Sequence, residues 1–233
     1  MRVISKKNEN YTTIVGIALV VFLLFAAYPL VLGLSYKISG LTRLNAQLFF
    51  TSRLYYWVFL LLIWLYSYSK EKKDILIWKE QKYKFWFYLG SFICVYFIMG
   101  FVLNIVKVIL SIAGLYKIST SFQNILEILR QNKALVIFTC LTAGVVEELI
   151  FRGYLQPRFE LIFKNQWVAM VVTSALFGLL HYGYGTLFNM IGPFFIGFIF
   201  SFYYWKFRNI KFLIAFHFLW DLLLVSIQLR VSH

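Results

Sequence analysis

Seven long apolar stretches separated by short polar ones organise the chain: residues 13–35, 54–68, 85–106, 134–155, 167–182, 187–205 and 211–229. A helix needs about 20 apolar residues to cross a bilayer, and lipid offers backbone groups no partner outside the helix itself. Each stretch therefore reads as a membrane-spanning helix. The second and fifth are short, which leaves room for an eighth, partly embedded segment in residues 41–50 or 107–118. The first is longer than the apolar region of a secretory signal and continues through Tyr28 and Pro29, so it reads as a retained span. Between the third and fourth stretches the period changes. In "STSFQNILEILRQNK" (119–133), Phe122, Ile125, Leu126 and Leu129 fall on one helical face and Gln123, Glu127, Arg130 and Gln131 on the other. Thr120 and Gln123 supply a capping-box start, and the pattern predicts an amphipathic helix, either an ordinary connector or one lying at the membrane interface.

Composition agrees. Of 233 residues, 61% are hydrophobic and only 14% charged, where a soluble domain averages about a quarter charged. The expected fold is all-α, a polytopic integral membrane bundle of seven to eight transmembrane helices. The net charge of +14 would suit a nucleic-acid partner if it lay on one soluble face, but the basic residues cluster between the spans. Taken by alternate connections, fourteen fall on one side, including Arg2, Lys6, Lys7, six lysines between 70 and 84, and Arg158. Seven, among them Arg43, Arg53 and Arg130, fall on the other. This bias places the N-terminus in the cytoplasm and the amphipathic helix on the opposite face, and it gives the charge a topological use that implies no nucleic acid. Cys94 and Cys140 lie in apolar stretches and fit neither a disulfide framework nor a zinc motif.

Topology does not account for the ionisable residues inside the spans, each of which costs at least about 2.5–3.5 kcal/mol to insert. They are Glu147, Glu148, Arg152, His181, His217 and Asp221. Glu148 and Arg152 are four apart on one helix face in the favourable acid-first order, an ion pair that serves structure or catalysis equally well. Glu147 points about 100° away and finds Phe151, not a base, four residues on, so its partner has to come from another span. Gly144, one turn earlier, permits close approach of a neighbouring helix or a substrate backbone. The fourth and fifth spans form a hairpin turning near Lys164–Gln166. Glu147 lies 17 residues before Lys164 and His181 17 after it, so the two return to one depth. His217 and Asp221, four apart in "HFLWD", share a stripe of the last span and line a cavity or hold helices together. His217 lies about 13 Å along its helix from the turn at Arg208 and Asn209, which predicts a polar cavity facing the cytoplasm. Glu147 reaches that depth if the hairpin protrudes, with Pro157 as a kink. A carboxylate and an imidazole at one depth, faced by another imidazole and an acid, suit water activation and oxyanion stabilisation.

The stretches "EELIFRG", "FGLLH" and "HFLWD" resemble, in order, the three motifs of the CPBP family of intramembrane proteases, which includes CAAX prenyl proteases and bacteriocin-processing, Abi-like members. The resemblance covers residues 134–229 as a catalytic core and leaves 1–133 as N-terminal transmembrane helices with a basic cytoplasmic loop and an interfacial helix. It implies a bundle of about eight spans around a cytoplasm-facing cavity, in the cell membrane of a bacterium. Glu147 would be the general base and His181 its partner, while His217 and Asp221 would line the oxyanion site, supported by Glu148 and Arg152. Asp221 stands where the prenyl-protease branch usually has Asn. An ionised Asp cannot donate to an oxyanion, so Asp221 is either protonated or orients His217. The family has been read both as zinc metalloproteases and as metal-independent glutamate proteases; no His-Glu-x-x-His motif is present. The expected function is an endopeptidase acting on a membrane-associated or prenylated protein or peptide. The alternatives are a non-catalytic immunity or peptide-binding protein in the membrane, and an ion-coupled transporter. No repeated halves of the kind transporters show are visible.

Overall fold

In the computed structural model, which describes residues 6–41 and 43–231, every regular element is a helix. Among the described residues, seven helices are long and apolar enough to cross a membrane: α1 (Glu9–Ser39), α2 (Ala46–Glu71), α3 (Phe85–Ile112), α5 (Lys133–Phe163), α6 (Gln166–Tyr184), α7 (Phe188–Phe207) and α8 (Ile210–Arg230). The short α4 (Thr120–Arg130) lies between α3 and α5. No further segment occupies 41–50 or 107–118 among the described residues. Instead α2 starts at Ala46, where Asn45 Oδ1 accepts the Leu48 amide at 2.9 Å, and α3 runs on to Ile112. Arg2, counted toward the basic side, lies outside the described residues. The cap of α4 is Ser119 rather than Thr120, its Oγ accepting the Phe122 amide at 3.0 Å.

Large apolar side chains such as Phe97, Phe101, Val108 and Ile109 on α3 stay exposed. In water such a face would be an aggregation liability; here it is the lipid-facing surface of a span. Three spans carry widened, π-helical turns. In α1 the turn Leu23–Ala27 precedes Pro29, in α2 the turn Ser67–Glu71 closes the helix, and in α5 the turns Ala143–Glu147 and Leu149–Leu155 flank Glu148 and precede Pro157. A proline lacks an N–H and its ring collides with the carbonyl four residues back. An extra residue in the preceding turn displaces that carbonyl.

Two glycines set how closely the site helices pack. A Cβ on Gly144 would lie 2.8 Å from the Ile214 carbonyl oxygen of α8, and one on Gly178 would lie 2.7 Å from that of Met190 on α7. At Gly144 the close neighbour is therefore α8. The α5–α6 hairpin turns at Lys164, with φ of 52°, and Asn165 caps α6 by accepting the Trp167 and Val168 amides.

Consecutive spans run antiparallel, so the connections 72–84, 164–165 and 208–209 share one end of the bundle, the one rich in Lys and Arg. That end is closed. Arg158, counted among the topological charges, is fully buried there and pairs with buried Glu71 at 2.5 Å. Tyr154 Oη donates to the same carboxylate at 3.0 Å, and Arg158 also donates to Ser67 Oγ and the Ile75 carbonyl. The segment 72–84 then crosses the bundle end. Trp78 packs on Tyr204 and under the Arg208 guanidinium, Asn209 donates to the Gln81 carbonyl at 2.6 Å, and Glu80 accepts the first amide of α8 at 2.9 Å. Burial pushes the Glu80 carboxyl above its ordinary range, against those hydrogen bonds.

Removing one partner of a buried ion pair leaves the other charge uncompensated, at about 3–5 kcal/mol. Arg158→Met should therefore lower the thermal unfolding temperature of the detergent-solubilised protein markedly. The Glu71→Leu/Arg158→Met double variant should recover most of that loss, and Lys82→Ala should leave the transition in place.

Candidate active site

The polar residues of α5, α6 and α8 meet at mid-bundle. Glu148 and Arg152 are fully buried and form the ion pair their spacing suggests, Nη1 to Oε1 at 2.9 Å. The same Oε1 lies 2.8 Å from His217 Nδ1 of α8. A carboxylate only accepts, so Nδ1 carries the proton and the ring is fixed with Nε2 facing Asp221, whose Oδ2 is 3.5 Å away. Arg152 leans on aromatic faces, its Cζ 4.5 Å from the Phe177 centroid and 5.2 Å from that of Phe200. Packing at Gly144 brings α8 close enough for this contact.

Glu147 faces elsewhere. It lines a cavity of about 260 Å³ together with His181, His217 and Asp221, and its carboxylate makes no hydrogen bond or ion pair to a described residue. His181, in the 3₁₀ turn that ends α6, points Nδ1 at the Phe177 carbonyl at 2.8 Å. A carbonyl only accepts, so Nδ1 donates and the lone pair of His181 is on Nε2. Four of the six charge-bearing residues read from the sequence thus share one cavity, while Glu148 and Arg152 stand behind it.

A second lobe of about 360 Å³ adjoins the first and shares Arg53, Glu147, His181 and Tyr184 with it. It is richer in hydroxyls, with Tyr28, Tyr36, Tyr56 and Ser121 in its wall. Arg53 is a site residue the sequence pattern hid, since its place near the start of a span made it look topological. Its guanidinium lies over the Phe49 and Tyr56 rings at 4.8 and 5.1 Å, donates to Tyr28 Oη at 3.3 Å, and pairs with no carboxylate among the described residues. Phe49 and Arg53 of α2 and Leu103 of α3 also show that the cavity is walled partly by residues before 134.

The cavity lies in the half of the bundle away from the basic end. From the level of His217 it extends past Leu224 and Val225 to Gln228, under Phe122, Ile125 and Leu129 of α4. The depth argument made from the sequence points it toward the nearer turn at Arg208 and Asn209, but the 72–84 segment fills that end. The apolar face of α4 forms a roof, and Ser119 at its start donates to the Tyr184 carbonyl at 2.5 Å, fastening it to the turn that carries His181.

The donor set does not fit a zinc ion. Among the described residues no three of His, Cys, Asp and Glu converge on one point, and Glu148 is held by Arg152 and His217.

Residues 130–223 match the family described as type II CAAX prenyl endopeptidase Rce1-like. The matched stretch contains all three motifs and is consistent with the resemblance to the CPBP intramembrane proteases, a protease family whose members act on peptide or protein substrates in the membrane. No curated protein and no solved structure matches the chain.

The two adjacent acids should separate in stability. Arg152→Met strands the buried Glu148 charge, at about 3–5 kcal/mol, whereas Glu147→Gln swaps a carboxylate with no hydrogen-bonded protein partner for its neutral isostere, strands no charge, and should lower stability far less. Thermal unfolding in one detergent reads both.

Proposed function

We propose, with the family match over residues 130–223 as premise, that the protein is an intramembrane endopeptidase in which Glu147 activates the water that attacks the peptide bond. The observation that carries this reading is the pairing, in one cavity, of a carboxylate without a protein partner and an imidazole whose free lone pair is defined. Water between Glu147 and His181 Nε2 gives a proton to the carboxylate as its oxygen adds to the scissile carbonyl. His181 holds the second hydrogen and so aims the oxygen. The developing oxyanion faces Nε2 of His217, which donates to it as one N–H of an imidazolium flanked by the Glu148 and Asp221 carboxylates. Its Nδ1 is already committed to Glu148, so this donor needs no reorientation when charge develops. Asp221 lies on the Nε2 side of His217 and orients that ring, a role that does not require it to donate. Glu147 then returns its proton to the departing amine, closing the cycle without a covalent intermediate.

Arg152 and Glu148 act through His217. A shift of Glu148 by an ångström would move the imidazole out of line with the oxyanion, which couples the buried ion pair to the reaction rate. The two lobes meet at Glu147 and His181, so a chain threaded through both presents its backbone to the water-activating pair. One lobe is largely apolar and the other lined by hydroxyls and Arg53. They suit an amphipathic peptide or a membrane-associated segment.

Loss of a positioned general base costs about 10²–10⁴-fold in rate. Glu147→Gln and His181→Ala should each abolish processing by that order while the protein stays folded. Quantitative comparison of membrane and secreted peptides from cells carrying wild type or Glu147→Gln should show a precursor accumulating in the variant. Full cellular function in a folded Glu147→Gln protein would overturn the protease reading and leave a peptide-binding one.

A further inference from the structure

Three features of the molecule bear on which side of the membrane supplies the substrate. The first is the distribution of charge, corrected by the structure. Arg158 is buried in its ion pair and Arg53 sits in the cavity wall, so neither reports topology. Without them, and leaving aside Arg2, which lies outside the described residues, twelve basic residues remain on the side of 72–84, 164–165 and 208–209. The other end has seven once Lys107, which lies over Tyr116 beside the 113–119 connection, is added. Basic connections are retained in the cytoplasm.

The second feature is the closure of that basic end. Glu71, Arg158, Ser67 and Tyr154 form a buried polar knot there, and Leu76 lies 2.7 Å from where a Cβ on Gly153 would stand, which leaves no passage beside α5. Across α7 and α8 the closure is made by Trp78 against Tyr204 and by the hydrogen bonds of Glu80 and Gln81 with residues 208–210. Taken together these contacts form a plug, in that each joins the 72–84 segment or the end of α2 to the ends of the helices that carry the site.

The third feature is the opposite end, where the cavity reaches the surface. The rim of the second lobe includes Ser121, Asn124 and Gly183, all exposed, beside Tyr36 and Leu44. Asp221 lies halfway along α8, and the cavity continues from it toward Gln228, away from the plugged end. A chain segment in water or at the interface on this side meets an open mouth, while one on the basic side meets packed tryptophan, tyrosine and an ion pair.

We infer that the cavity opens on the non-cytoplasmic face of the membrane, between α4 and the start of α2, and that its substrates are peptide segments presented at that outer interface. This departs from the cytoplasm-facing cavity the family resemblance implies. The substrate class rests on the protease reading above; the direction of the opening does not. Segments of this kind are the outer flank of a membrane-anchored chain, or an amphipathic peptide lying on the outer surface after export.

Cysteine accessibility tests the direction independently of activity. In a Cys94→Ala/Cys140→Ala background, Asn124→Cys places a thiol at the rim of the opening and Lys82→Cys one on the plugged end, both exposed. Intact cells are treated with a membrane-impermeant charged maleimide, then permeabilised and treated again. The inference expects labelling at position 124 in intact cells and loss of labelling at 82 until permeabilisation. Labelling at 82 in intact cells, or at 124 only after permeabilisation, overturns it. Ser121→Cys substitutes at the rim if the 124 variant does not fold. The same pattern is expected with Glu147→Gln added, so a failure of the protease reading and a failure of the topology give different results.

Discussion

A charge inside a bilayer has neither water nor mobile counter-ions, so an opposite charge has to come from the protein, and Glu148 shows what that demands. One carboxylate oxygen serves both Arg152 and His217. Through it α5 is locked to α8, the imidazole is held in one orientation, and the guanidinium is placed between two phenylalanine rings. None of these arrangements survives alone. Without Arg152 the carboxylate is stranded, and without Glu148 both cationic groups lose their anchor.

Against that charge-paired centre, the groups left without an opposite charge stand out. Glu147 and Arg53 line the same cavity, yet neither is paired with an opposite charge at ion-pair distance among the described residues. The protein accepts their desolvation in a space that can admit water and a substrate, and spends its compensating contacts one residue further on. Two acids adjacent in sequence thus have opposite roles, one completing the scaffold and the other facing the cavity.

Much of this was legible beforehand, for reasons that differ by residue. The seven spans are written in the sequence because lipid enforces length and apolarity on each separately. The Glu148–Arg152 pair is a local i, i+4 relation, and the return of His181 to the depth of Glu147 follows from counting along a hairpin. What could not be read depends on helices distant in sequence. That Glu148, and not Glu147, meets His217 follows from the approach of α8 at Gly144 and from the widened turns on either side of Glu148, which break the 100° step on which a face assignment relies. Arg53 and Arg158 were indistinguishable from topological charges, since the positive-inside rule counts residues without knowing which of them fold inward. The direction of the cavity depends on where the 72–84 segment lies, and nothing in its composition says that it lies across the bundle end.

The hydroxyl of Ser119 joins the roof of the cavity to the carbonyl of Tyr184, three residues after His181. Roof and imidazole are consequently one mechanical unit. Any displacement of α4 would load the turn in which His181 sits. That link is carried by a single serine that belongs to none of the motifs.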